Sequence, residues 1–336
     1  MLALRSRFAL PPLTLSQRTA SVDALRAKLA SVAADQYIVV TGPKGVGKSC
    51  VVDTAMQRTC GVVHVGVAAG SSQKDIVRDA LSSVANVQLG FVDPRPSVRR
   101  VLWWYALALP PPIVVLRAHE RAEGEAHARI TGAVRELVSC GLRVVVDAST
   151  NSLPPEALAT LRQRVLELEP MPQELLFTLP EHARLFAMLR AERLVGVVWA
   201  VLGGVPAHYC ALGGALREAP PEDAPRVVAA YARSELRSAI DRRDTLLAAH
   251  PAMGPLLFEF RTRGSVPKAR LVALGIESPS PNKVLRAVAM DDAVALVPAD
   301  AAMALVLRHR LSAVPSVEEL GRLCASPPLL QEVGLQ

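Results

Sequence analysis

At 336 residues, with 51% apolar, 21% charged and 4% aromatic side chains and a mean hydropathy of +0.27, the chain is long enough for two or three buried cores at roughly 100–200 residues each. That excludes disorder for its bulk, and collagenous, mucin-like and prion-like compositions with it. The formal charge of +7 is concentrated in residues 1–130, with 16 Lys+Arg against 9 Asp+Glu, whereas 220–336 carry 14 against 13. A basic surface of this kind serves an anionic small ligand as readily as nucleic acid.

In chain order, the first 22 residues hold Arg5, Arg7 and Arg18 with no acid and several hydroxyls, the composition of a mitochondrial transit peptide. The competing reading of 1–17 is an entry strand and linker. Val22, Leu25, Leu29 and Val32 recur at helical spacing behind Ser21, a cap candidate, and predict an amphipathic helix over 20–34. Residues 37–40 then read as a buried strand, 42–47 as a Gly-rich loop, 48–58 as a helix, 61–67 as a second strand and 72–84 as a helix with Ile76, Val77, Ala80, Leu81 and Val84 inward. An apolar helix over 98–109, containing Trp103, Trp104 and Tyr105 as core and interface side chains, stops at Pro110, Pro111 and Pro112. A third strand (113–116), a helix (125–140) ended by Gly141, and a fourth strand (142–146) follow. Pro154 and Pro155 open a helix with Leu158, Leu161, Val165 and Leu168 inward, and 174–178 reads as a fifth strand. Strands alternating with helices predict a parallel sheet covered on both faces.

From Pro180 the strands give way to helices. The 23 residues from Leu194 to Leu216 carry no charge, but Gly203, Gly204, Gly213, Gly214 and Pro206 divide them into two buried helices, so no membrane span is expected. Helices over 252–262, 267–274 and 281–289, with strands at 293–297 and 304–306, have the order of a winged helix-turn-helix. There Asn282, Lys283 and Arg286, with Arg261, Arg263, Lys268 and Arg270, would be the DNA-contacting set. Five scattered cysteines, Cys50, Cys60, Cys140, Cys210 and Cys324, form no C-x-x-C pair, so neither a disulfide framework nor a zinc site is expected and a reducing, intracellular compartment fits.

The strongest signal is Gly42-Pro43-Lys44-Gly45-Val46-Gly47-Lys48-Ser49, a full G-x-x-x-x-G-K-[ST] between a strand and a helix. Glycines let backbone N–H groups turn around a phosphate, and the helix N-terminus adds its positive end. Lys48 would reach the β/γ-phosphates and the Ser49 hydroxyl would join a Mg2+ shell, with the run from Gly42 to Cys50 contacting ATP. Hydrolysis also needs a metal-side carboxylate, and strand three ends in Arg117 and Ala118 where acids are expected. Glu120 and Asp147 are the candidate catalytic carboxylates, each with an ordinary structural reading as a helix cap or strand-end turn residue. Ser149, Thr150 and Asn151 could present a polar group to a γ-phosphate, and His119 could stand near the nucleotide.

The loop at 41–49, the strand order and Leu202-Gly203-Gly204-Val205-Pro206 together resemble the P-loop ATPases of the AAA+ and STAND type over residues 18–215. The finer likeness is to the archaeal-type ATPase domains of Crinkler effectors and retrotransposon hot spot proteins. The resemblance implies an α/β fold with a five-stranded parallel sheet ordered 5-1-4-3-2, a P-loop core over 18–179, a helical lid over 180–219 and a helical or winged-helix module over 220–336. It also implies a Walker A at 42–49, a Walker B at 113–117, a sensor after strand four and a Gly-x-Pro-like motif at 204–206. The expected activity is Mg-ATP binding, with slow hydrolysis, coupled to a conformational change on a macromolecular partner or by self-assembly. The alternative is a hydrolysis-deficient switch or effector, with DNA as a partner of the C-terminal module. Arg117 is the departure from the family pattern, and it bears on turnover rather than on binding.

Overall fold

The computed structural model describes residues 18–31, 37–57, 59–68, 70–85, 102–103, 111–118, 125–148, 165–179, 182–263, 265–267, 269–273, 284–289, 294–316, 319 and 322–323. The chain divides into two compact units, one of Met1–Gly42 with Gly47–Leu168 and one of Pro43–Val46 with Glu169–Gln336.

In the first unit, helix α1 (Thr19–Ser31) buries Val22, Leu25 and Leu29 on one face. It starts ahead of Ser21, which lies inside the helix instead of capping it, and Val32 falls outside the described residues. Strand β1 (Tyr37–Thr41), helix α2 (Lys48–Met56), strand β2 (Val62–Val67), helix α3 (Gln73–Ala85), strand β3 (Ile113–Ala118), helix α4 (Glu125–Ser139), strand β4 (Arg143–Asp147) and strand β5 (Val165–Glu167) follow. All the strand pairings are parallel, in the order β2-β3-β4-β1-β5, which is 5-1-4-3-2 read from the other edge. Residues 38–41, 113–116 and 144–147 are buried without alternation, the mark of a parallel sheet covered on both faces. Helix α1 packs on α2, and α3 packs on α4 and β2. The inward face of α3 is the one the periodicity predicts, Ile76, Val77, Ala80, Leu81 and Val84, and α4 buries Ile130, Ala133, Val134 and Leu137.

The fifth strand is displaced from its expected position. Strand β5 pairs with β1 from Val39–Val165 to Thr41–Glu167, and Leu168 N donates to Thr41 O at 2.8 Å. The segment expected to be that strand, 174–178, contains instead the short helix α5 (Gln173–Leu176) of the second unit. Pro172, with φ −57°, is its N-cap, where a missing N–H costs no hydrogen bond. A three-residue strand leaves no period to read, so Val165 and Leu168 look like two positions of a helix face. The helix opening at Pro154 lies outside the described residues, as do Trp104 and Tyr105; Trp103 is 60% exposed and is not a core residue.

The second unit continues with α6 (Ala183–Ala191), α7 (Val195–Leu202), α8 (Pro206–Glu218), a 3-10 turn (Pro221–Asp223), α9 (Ala224–Ala249) and α10 (Met253–Arg263). The uncharged stretch is broken at Gly203 and Gly204, but Gly213 and Gly214, expected as a break, lie inside α8. The helices are buried on one side only, at Val198, Val201 and Leu202 of α7 and at Tyr209 and Leu212 of α8; no helix among the described residues is long and apolar enough to cross a membrane. Phe177, Phe186, His182 and Tyr209 form an aromatic cluster, with Phe177–Phe186 centroids 4.0 Å and Phe186–Tyr209 centroids 5.3 Å apart. Tyr209 is fully buried, which holds its phenol well above the ordinary value, and its hydroxyl donates to Gly203 O at 2.9 Å.

Strand β6 (Val266–Pro267), helix α11 (Ala269–Ala273), strands β7 (Leu285–Ala289) and β8 (Val294–Pro298), and helix α12 (Ala301–His309) complete the unit. The three strands form an antiparallel sheet in the order β6-β8-β7. Two expectations are corrected here. Residues 285–289, expected within a helix, are a strand in register with β8 from Leu285–Pro298 to Ala289–Val294. The expected second wing strand, 304–306, lies inside α12, where Asp300 accepts from Met303 N at 2.8 Å as N-cap and Ala, Met and Leu favour the helix. Of the proposed DNA-contacting set, Lys268, Asn282 and Lys283 lie outside the described residues, and Arg270 is paired with Glu259 at 3.2 Å.

Candidate functional site

The loop at 42–49 leaves the buried end of β1 at Thr41 and runs into α2 at Lys48, the strand–loop–helix order that its motif requires. Gly45 and Gly47 have φ of +74° and +98°, a backbone region that glycine enters at little cost. Within the second unit, Gly45 O accepts from Ala207 N at 3.3 Å, and a Cβ on Gly45 would lie 2.5 Å from the Ala207 Cβ. In the first unit, Lys48 Nζ donates to Gly42 O at 3.0 Å, folding the ammonium back along the loop. Helix α2 has no side-chain cap and no acid of its own in its first turn, so its N-terminal N–H groups are not capped from within the helix.

Ser49 Oγ donates to Asp147 Oδ2 at 2.7 Å. Asp147 ends β4 opposite Val40 of β1 and is 6% exposed, so the sheet register places this carboxylate beside the first turn of α2. A hydroxyl and a carboxylate are hard oxygen donors of the kind Mg2+ takes, and Ser49 and Asp147 would hold it while the remaining ligands are phosphates and water. Of the candidates read from the sequence, Ser49 and Asp147 meet in a hydrogen bond and Lys48, next to Ser49 in the chain, folds back onto Gly42; Glu120, His119, Ser149, Thr150 and Asn151 lie outside the described residues.

Arg117 lies in β3 itself, one residue before its end, and its guanidinium makes an ion pair with Asp53 Oδ1. His64 Nδ1 is 3.9 Å from the same oxygen. Burial raises the Asp53 carboxyl above its ordinary value, while Arg117 and His64 pull it back and Asp147 adds to the rise. Burial also lowers His64, and the charge of Arg117 acts in the same direction, against the smaller opposite pull of Asp53 and Asp147. Sequence reading noticed Arg117 but missed Asp53 and His64. Two signals were available: Asp53 follows Ser49 by four residues on one helix face, and His64 interrupts an apolar strand.

No protein-family model and no curated protein matches this sequence. Solved structures that this chain resembles include the ORC2 protein of Aeropyrum pernix in ADPNP-ADP complexes, at 11% identity and a TM-score of 0.48 over 95% of this chain and 96% of that one. The Aeropyrum pernix ORC1 protein in complex with DNA is 13% identical, with a TM-score of 0.36 over 94% of this chain and 93% of that one. Drosophila ORC bound to DNA is 12% identical, with a TM-score of 0.35 over 93% and 96%. The strand order and the loop, not these likenesses, define the fold.

Removing the Asp147 charge tests this pair as a metal site. Asp147→Asn keeps the size of the side chain, so we expect the nucleotide complex to bind Mn2+, read by electron paramagnetic resonance, about tenfold more weakly, the scale of losing one charged oxygen contact. Unchanged Mn2+ affinity would remove Asp147 from the metal shell.

Proposed function

We propose that the chain is an ATP-binding P-loop NTPase of the AAA+ type, coupling Mg-ATP binding and slow hydrolysis to a conformational change that acts on a macromolecular partner or a second copy of itself. The observation that carries this reading is the Ser49–Asp147 hydrogen bond of 2.7 Å at the start of α2, next in chain to the lysine of a complete phosphate-binding motif. The loop and the α2 N-terminus receive the phosphates, and Lys48 exchanges the Gly42 carbonyl for phosphate oxygens. Ser49 and Asp147 orient Mg2+, which when bound neutralises charge developing on the transferred phosphoryl group.

Slow turnover follows from what stands at the end of β3. A water attacking phosphorus needs an oriented acceptor for its proton, and Arg117, a cation without an acceptor atom, stands there paired to Asp53. Phosphate release by the purified chain is therefore expected far below the about 10 s⁻¹ typical of enzymes. A basal rate near that value would contradict it, and its survival in both Glu120→Gln and Asp147→Asn would remove these carboxylates from the machinery as well. The competing form of the reading is a switch that binds nucleotide and does not turn it over.

A DNA partner is a second reading. It is supported by the order helix, strand, helix, hairpin over 253–298, with the antiparallel sheet β6-β8-β7, an order that winged-helix modules share.

A further inference from the structure

The end of β3 holds a cation beside two carboxylates and a hydroxyl, all within the first unit. Arg117 and Asp147 are register partners on adjacent strands, about 4.8 Å apart at the strand spacing. Asp147 accepts from Ser49, and Asp53 lies one helical turn beyond Ser49 on α2. Arg117 gives one terminal N–H to Asp53, and its Nε is buried without a hydrogen-bond partner. Its acceptor has a second neighbour, because His64 Nδ1 faces the same Asp53 oxygen at 3.9 Å. The guanidinium thus stands within side-chain reach of the Ser49–Asp147 pair, with donors unspent, on a carboxylate that another group shares.

Resting on the nucleotide site proposed above, we propose that Arg117 is a phosphate-binding cation: the free protein keeps it on Asp53, and a bound nucleoside triphosphate draws it onto phosphate oxygens. There it adds countercharge to that of Lys48 and the α2 N-terminus, a share that a P-loop site with an acid at this position leaves to Mg2+. A guanidinium keeps its charge at every working pH and meets phosphate oxygens with two parallel N–H bonds, and several phosphate charges outweigh one half-buried carboxylate. Nucleotide binding then depends weakly on a divalent ion. A purely structural Arg117–Asp53 pair, tying β3 to α2, gives a different pattern: binding stays dependent on the metal, and cutting the pair from either side damages it alike.

A fluorescent ATP analogue titrated into the full chain, with Mg2+ and with EDTA, separates the two. In the wild type, affinity in EDTA is expected within about threefold of that in Mg2+, a difference well under the tenfold per 1.4 kcal/mol scale. Arg117→Gln is expected to lose about tenfold or more in EDTA, the size of a hydrogen bond to a charged group, and to recover in Mg2+, which also shows that it folds. Asp53→Asn releases the guanidinium and is expected to bind more tightly than wild type in EDTA. A wild type that loses the analogue in EDTA as fully as Arg117→Gln overturns the proposal, as does Asp53→Asn without a gain, which decides the matter even if Arg117→Gln is unfolded. If binding in Mg2+ is indifferent to Lys48→Ala, it is the nucleotide-site reading that fails instead.

Discussion

Gly204→Ala is expected to destabilise the second unit by about 3 kcal/mol, the upper range for forcing one extra carbon into a packed site. Gly203 leaves α7 with φ +58°, and its N–H returns to Trp199 O at 2.8 Å. The chain then turns so tightly that Gly204 O accepts from Met171 N at 2.6 Å, and a Cβ on Gly204 would collide with the Met171 carbonyl oxygen and nitrogen. Both obstacles are backbone, so no rotamer change relieves them. Tyr209, anchored in the aromatic cluster, bonds Gly203 O and prevents the corner from swinging away. Gly213→Ala is the matched control, because Gly213 lies within α8 and a Cβ there meets nothing within 4 Å. That variant is expected to gain about 0.5–1 kcal/mol from helix propensity. Urea unfolding measures both, and a Gly204→Ala midpoint equal to wild type would show that the corner yields freely.

The first unit was legible where the physics is local. Runs of β-branched residues such as Ile38, Val39 and Val40 declare buried parallel strands, and the apolar period of α3 declares its inward face, because every one of these positions answers to the same core. Legibility failed where the deciding partner is distant in sequence. Residues 165–167 become a strand only because Val39, Val40 and Thr41 lie beside them, and 285–289 because β8 does. The loop at 42–49 could be read because its chemistry is contiguous. Asp147 could be proposed but not chosen over Glu120, since its bond to Ser49 spans 98 positions of sequence. The partner of Arg117 could not be found at all, because nothing local pairs position 117 with position 53.

Lys48→Ala should produce the largest change in ligand binding of any single substitution in the loop. The ammonium is held at the loop by Gly42 O at 3.0 Å, a neutral acceptor that a phosphate oxygen replaces with gain, since a hydrogen bond between ions is roughly twice as strong as one between neutral groups. Alanine removes that charge and leaves the glycines, the α2 N-terminus and the Ser49–Asp147 pair in place, so folding is expected to be unaffected while affinity falls about 10- to 100-fold. Titration of a fluorescent ATP analogue in Mg2+ into wild type and Lys48→Ala, with unfolding midpoints measured alongside, is the direct test. Saturable one-to-one binding by wild type, weakened to that extent in Lys48→Ala at equal stability, is the predicted result. Equal affinity in the two proteins, or no binding by either, would contradict the account.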